Sequence, residues 1–419
     1  MIKRILISGV GLWMLAFINC SSSSGEESVH RIVKKEEGLV LDNAYFTYQF
    51  STKDGLCLEQ IVNKSINQPL IKEKDRMDLF AIVLTGAKRA RISSFDFKVD
   101  TIDVNNGIKD SQAKLMLSAK DAAIGLAVEL SILVRETPYS IWSLKISNNG
   151  KEDTEIMAAF PLLSGIRLGE NMEDNYYLFP YHEGGISNHP LDVRFTYGGG
   201  ASLNIIDIYN PVMGGGIYVR ADSEPQTSKC LSLKKKTANF DGTPYVEKSY
   251  EEGSVIDWLY GRAFRLENAL GMGFSYAGRK LPAGGNVSLP SIAIGVHKGD
   301  FHQAMADYRQ WVDTWFKKVN KVPDWFKWGF AYKLHNFFGS TTGYSPKVLL
   351  RQNEGWHYGL NIMEICEWWG GFRDYFSAKE EWGGEAVLKE SVRMLKDSGV
   401  KVLFYLEGYL IPKDYQKIW

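Results

Sequence analysis

Apolar and polar positions follow two different rhythms along this chain, and the change falls near residue 299. From Leu39 to about Val296 the apolar residues come in short runs: YFTYQFS, LFAIVLTG, AKLMLSA, GLAVELSILV, SIWSLKISN, GGGIYVRAD and LPSIAIGVH. Clusters of Asn, Gly, Asp and Pro, such as Asn148-Asn149-Gly150, separate them, which is the pattern of strands joined by turns. So many strands without a competing helical period predict a large antiparallel β-sandwich over residues 39–298. At Gly299 the period changes. Phe301, Ala304, Met305, Tyr308, Val312 and Trp315 fall at helical spacing. Asp300 is a natural N-cap, and Gln303 completes a variant of the capping box. Pro323 stops regular structure, so residues 299–322 read as a linker helix between two domains.

Residues 323–419 follow an α/β pattern. Asn361–Trp369 (NIMEICEWW) is short, apolar and aromatic, and Gly370–Gly384 reads as a loop punctuated by paired glycines. Glu385–Ser398 places Leu388, Val392 and Leu395 on one helical face. Gly399 stands where a helix ends on a left-handed residue, with Val400 as the hydrophobic follow-up. Lys401–Gly408 is again mostly apolar. Two such strands joined by an amphipathic helix predict a parallel βαβ unit. Trp328–His335 predicts a preceding strand, and Tyr344–Tyr358 includes a short helix. A (β/α)8 barrel takes about 250 residues. Trp325 to Trp419 supplies 95, so the expectation is the first part of such a barrel, cut short.

The N-terminus changes the picture of where the protein resides. Lys3 and Arg4 precede a 14-residue apolar run, Ile5 to Ile18, which is short for a membrane span of about 20 residues. Asn19-Cys20 and a serine tract follow. This resembles a bacterial lipoprotein signal: residues 1–19 are removed, Cys20 is lipidated, and residues 20–38 form a flexible linker. A plain signal peptide with an incidental cysteine is the alternative. The expected location is the bacterial cell envelope, at the outer membrane or cell surface, anchored by lipid. With 49 basic and 49 acidic residues, removal of Lys3 and Arg4 leaves a formal charge of −2, which offers nothing to nucleic acid. Cys57, Cys230 and Cys366 are far apart and form neither a disulfide framework nor a metal spacing.

Three segments resemble a bacterial family. Asp207–Asp222 (DIYNPVMGGGIYVRAD), Gly299–Phe316 (GDFHQAMADYRQWVDTWF) and the Trp-Trp-Gly-Gly pattern at Trp368 to Asp374 are similar to glycoside-hydrolase-like proteins of the DUF6259 type. The resemblance covers most of residues 40–419. It implies a galactose-mutarotase-like sandwich followed by an α-glycosidase-like barrel, with a poly- or oligosaccharide as partner. It also places catalytic carboxylates at the ends of strands four to six, beyond the strands visible here, so no catalytic residue is assigned.

Barrel active sites lie at the C-terminal ends of the strands. Glu367, Trp368, Trp369 and Asp374 follow the second strand, and Glu407 and Tyr409 follow the third. Carboxylates accept hydrogen bonds from sugar hydroxyls, and an indole offers a broad apolar plate with a polar edge. Trp368, Trp369, Asp374, Glu407 and Tyr409 are therefore the candidate substrate-binding residues. Plainer roles stand beside these: core packing for the tryptophans, turn stabilisation for Asp374, and a solvated loop for Glu407. Glu367 and Glu407 could also form the carboxylate pair, about 5–9.5 Å apart, that glycosidases use. The loop of His182, Glu183 and His189 is either a sugar contact or a turn. It lacks a third metal ligand, and neither Gly198–Gly200 nor Gly214–Gly216 matches a phosphate loop, so no metal or cofactor is expected. Three classes remain: a glycoside hydrolase, a non-catalytic carbohydrate-binding lipoprotein, and a structural envelope lipoprotein.

Overall fold

The computed structural model describes residues 30–71, 77–85, 90–181, 184–197, 201–222, 229–236, 245–248, 269–317, 321–327, 333–336, 343–345, 361–371 and 374–406. They belong to two compact units, the first ending at Phe316 and the second beginning at Lys317. The leader, Cys20 and most of the expected linker lie outside the described residues.

The first unit is a sandwich of antiparallel sheets. Among the described residues there is a five-stranded, a ten-stranded and a seven-stranded sheet. One pairing in them is parallel, Leu191–Thr196 beside Tyr245–Lys248. Strict alternation places the strands: in Leu126–Val134, residues Leu126, Val128, Leu130, Ile132 and Val134 are buried. Leu130 faces Leu115 on one side and Leu144 on the other, so three leucines share a rung. Trp142 joins two sheets. It is fully buried, donates its indole N–H to Ser140 Oγ at 2.7 Å, and packs its ring 5.4 Å from Phe50 and 6.1 Å from Tyr48.

The seven apolar runs all recur as strands, with ends moved by a few residues. Two readings change. Arg31–Lys35, placed in the flexible linker, is the edge strand of the five-stranded sheet and pairs with Gly38–Asp42. Its charged residues hide it in the sequence, because only Ile32 faces inward. The linker helix is Phe301–Trp315, and it packs on the first unit through Ala304 and Tyr308 against Ile205 and Tyr218. Asp300 caps it, accepting from the His302 N–H at 3.1 Å. The cap is Asp300 alone, and no reciprocal bond from Gln303 completes the expected capping box. This helix covers the outer face of strands Ile205–Asn210, Gly215–Asp222 and Ser291–Lys298. Buried on both faces, they lose the alternation seen elsewhere.

The second unit holds three parallel strands, Lys333–Asn336, Ile362–Cys366 and Lys401–Phe404, side by side in chain order. The helix Gly384–Asp397 buries Leu388 and Leu395 with Met363, Ile365, Tyr344 and Val400. It ends as expected. Gly399 is left-handed (φ 83°) and donates to the Lys396 carbonyl at 2.9 Å, while Val400 donates to Leu395 at 3.0 Å. The expected loop 370–384 is more ordered than its glycines imply: Trp369–Gly371 pairs with Asp374–Ala378 as a two-stranded hairpin. Residues 328–332 of the first expected strand and 346–358 of the expected short helix lie outside the described residues.

Candidate functional site

The carboxyl end of the parallel sheet gathers the side chains on which recognition can rest. The central strand stops at Cys366, and Glu367 adopts φ 52°, a left-handed backbone that only one other described non-glycine residue, Asn67, shares. Such a conformation costs about 1–3 kcal/mol and persists where the surroundings hold it. Glu367 Oε2 is buried and has no hydrogen-bond partner among the described residues. A buried carboxylate oxygen left without a donor is unfavourable. It is an acceptor aimed at nothing the described residues provide.

Two tryptophans flank this position, and they divide the roles expected of them. Trp368 donates its indole N–H to the Tyr405 carbonyl at 2.9 Å and meets Phe404 edge-on at 5.1 Å. Its polar edge is therefore committed to the neighbouring strand, and its ring packs, partly buried, against the core of this unit. Tyr344 fixes the same segment, since its hydroxyl donates to the Trp368 carbonyl and accepts from the Lys379 N–H. Trp369 begins the hairpin and lies 6.1 Å from the Tyr405 ring, with 9% of its surface exposed. Asp374 opens the second hairpin strand opposite Gly371. Glu407 and Tyr409 lie outside the described residues, as do His182 and Glu183. His189 is exposed, and its backbone carbonyl accepts from the Tyr177 hydroxyl at 3.2 Å. Thus Glu367, Trp368 and Trp369 come together with Phe404 and Tyr405. The two last residues were missed because they read as ordinary strand positions.

The other two motif segments meet inside the first unit and build a buried polar seat for the helix Phe301–Trp315. His297 Nε2 and Asp207 Oδ1 are 2.9 Å apart, both fully buried. Tyr218 donates its hydroxyl to Asp307 at 3.2 Å. Arg220 grips Asp222 at two points, donates to the Asp307 carbonyl at 3.2 Å, and lies over the rings of Tyr139 (4.9 Å) and Trp311 (5.4 Å). Two glycines make the room. A Cβ on Gly216 would stand 2.6 Å from His297 Nε2, and one on Gly295 would stand 2.3 Å from the Tyr218 ring. In GGGIYVRAD, Gly215 and Gly216 thus serve close packing, while Gly214, with open space around it, takes the left-handed backbone (φ 81°) of the turn before the strand.

Electrostatics here fix a pH dependence. Burial alone lowers the His297 pKa, but the Asp207 carboxylate and the Lys298 carbonyl raise it above its ordinary value overall. Burial pushes the Asp307 carboxyl up, against hydrogen bonds from Tyr218 and Gln303. Burial likewise lifts Asp222 against the pull of Arg220, while Asp222 holds the guanidinium protonated; the two-point contact keeps that pair ionised. Both His297 and Asp307 bind protons more tightly when folded, so stability falls as pH rises. The His297 contribution is complete below about pH 6.5 and is lost as pH rises through the folded value. The urea midpoint is expected to fall between mildly acidic and mildly alkaline pH, and Asp207→Asn should flatten the upper part of that slope. A midpoint that rises over this range contradicts the assignment.

The described residues thus form a β-sandwich followed by a parallel α/β unit. No protein-family model matches the sequence, and no curated protein does. The chain is similar in structure to an α-N-acetylgalactosaminidase from Bifidobacterium bifidum solved as a GalNAc complex. The TM-score is 0.58 at 10% identity, over 87% of this chain and 58% of that one. Weaker likenesses include α-galactosidases from Lactobacillus brevis (TM-score 0.45, 10% identity, 91% and 55% covered) and Geobacillus stearothermophilus (0.46, 9%, 92% and 58%). The chain spans less than three fifths of the length of each.

Proposed function

We propose that the protein is carbohydrate-active and of glycoside-hydrolase type, taking a sugar at the carboxyl end of its parallel sheet. The observation that carries this reading is the buried Glu367 Oε2 at the end of the central strand, two residues before Trp369 and without a partner among the described residues. A carboxylate acceptor next to an aromatic plate suits a ligand that presents hydroxyls and C–H faces together. Residues 323–419 then correspond to the opening βα units of a (β/α)8 barrel, and Asp374, Glu407 and Tyr409, which follow its second and third strands in the sequence, belong to the same proposal as sugar contacts. Two things support this: parallel strands in chain order, and the extent of the N-acetylgalactosaminidase likeness, which is longer than the first unit alone. Membership of the DUF6259-type family belongs to the same proposal, as does a poly- or oligosaccharide partner. The test is calorimetric titration of the protein against N-acetylgalactosamine, galactose and oligosaccharides bearing them. Saturable binding supports the reading, and its absence across the panel opposes it.

Attachment to the bacterial envelope through a lipid on Cys20 is the second part of the proposal. The charged, apolar leader ending at that cysteine supports it. One acyl chain anchors only marginally, and the several chains of a lipoprotein anchor stably. Wild-type protein is expected in the membrane fraction and Cys20→Ala in the soluble fraction. Equal partition of the two refutes the anchor.

A further inference from the structure

The place where the chain enters the sandwich points to a membrane-contacting face, an inference that rests on the lipid-anchor reading above. Ten residue steps separate Cys20 from His30, the first described residue. That length reaches at most about 35 Å when extended and about 18 Å as a coil. Whatever surface surrounds His30 is therefore held close to the bilayer.

That surface is built around one hairpin turn. Strands Phe97–Asn106 and Ser111–Ala119 are joined by Gly107–Asp110, closed by Gly107 N–H donating to the Asp110 carbonyl at 2.9 Å. The hairpin clasps the incoming chain. The Asn106 amide accepts from the Ile32 N–H at 2.8 Å and donates to the Ile32 carbonyl at 3.0 Å, and Ser111 Oγ donates to the His30 carbonyl at 3.3 Å. At the tip stands Ile108, 77% exposed, followed by Lys109; Val33, on the clasped edge strand, is 40% exposed. Arg31, Lys34 and Lys35 lie on that strand, and Lys34 Nζ donates to the Ile102 carbonyl. Of the acids nearby, Asp110 has Arg135 at 3.8 Å and Glu37 has Lys53 at 3.7 Å, and Glu36 and Asp103 are also exposed, further from the tip.

We infer that the Gly107–Asp110 turn rests on the membrane, with Ile108 at the boundary of headgroups and acyl chains and Lys109 among the phosphates. One isoleucine is too little to recruit a free protein. A short tether changes this, because it holds the turn near the bilayer at millimolar effective concentration, where a weak contact is populated.

Amine footprinting tests the contact. The lipidated protein is bound to vesicles of phosphatidylethanolamine and phosphatidylglycerol, acetylated, and compared with the same protein in detergent. Lys109 is expected to lose reactivity several-fold on vesicles, while Lys98, at the far end of the same strand, is unchanged. Ile108→Asp should restore Lys109 reactivity without releasing the protein, and Val212→Asp, at a site 79% exposed, should have no effect. Protein that sediments with vesicles while Lys109 stays as reactive as Lys98 overturns the contact and leaves the anchor standing. Wild-type protein that does not sediment with vesicles overturns both.

Discussion

Arg220→Ala is expected to destabilise the first unit by about 3–5 kcal/mol, the usual cost of removing one partner from a buried ion pair. The arginine side chain is 2% exposed and Asp222 is 12% exposed, so neither charge has water to fall back on. Without the guanidinium, the Asp222 carboxylate stays buried and uncompensated, and the Asp307 carbonyl loses a donor. The rings of Tyr139 and Trp311, which the guanidinium now covers, would border a cavity. For a unit of this size the melting temperature should drop by roughly 5–8 °C. Trypsin should also reach Arg309 on the helix Phe301–Trp315 earlier than in wild type. A variant as stable as wild type but altered in ligand binding would mean that these motif residues form a site and not a seat.

The second large effect falls on recognition. Glu367→Gln keeps size and shape but replaces one carboxylate oxygen with an amide donor. A hydrogen bond to a charged group contributes about 1.5–3 kcal/mol, so sugar binding should weaken about 10- to 150-fold. Stability should hold or rise, because the variant removes the charge from a half-buried carboxyl group whose Oε2 has no partner among the described residues. The neighbouring tryptophans separate in the same assay. Trp369→Ala should weaken binding by roughly tenfold or more, the scale of losing a buried contact residue. Trp368→Phe should lower stability with little effect on affinity, since it loses the 2.9 Å bond to the Tyr405 carbonyl.

Where one physical signal dominated, the sequence was readable. Leu126–Val134 alternates cleanly because one face meets the core, and Gly399-Val400 announced a helix end that the structure reproduces bond for bond. Where two faces were buried or charge masked a strand, it was less so. Arg31–Lys35 carries one inward residue among four exposed ones, and its pairing with Gly38–Asp42 has no local signature. The motif around Gly214–Gly216 was legible as unusual but not as structural. Its purpose depends on His297, about 80 residues later, whose ring occupies the space beside Gly216. At the site, tryptophans near a strand end were visible in sequence. That Trp368 is committed to a backbone carbonyl and Glu367 to a left-handed turn depends on Tyr405 and on backbone geometry, which spacing does not encode.

The central claim is that the end of the parallel sheet is a sugar site organised by Glu367. It is tested most directly by measuring thermal unfolding of wild type and Glu367→Gln, each with and without a sugar that binds wild type. A ligand that binds only the folded state raises the melting temperature in proportion to its affinity. The account predicts a clear upward shift for wild type, little or none for Glu367→Gln, and a sugar-free melting temperature for the variant at or above that of wild type. An equal ligand-induced shift in both proteins would contradict it.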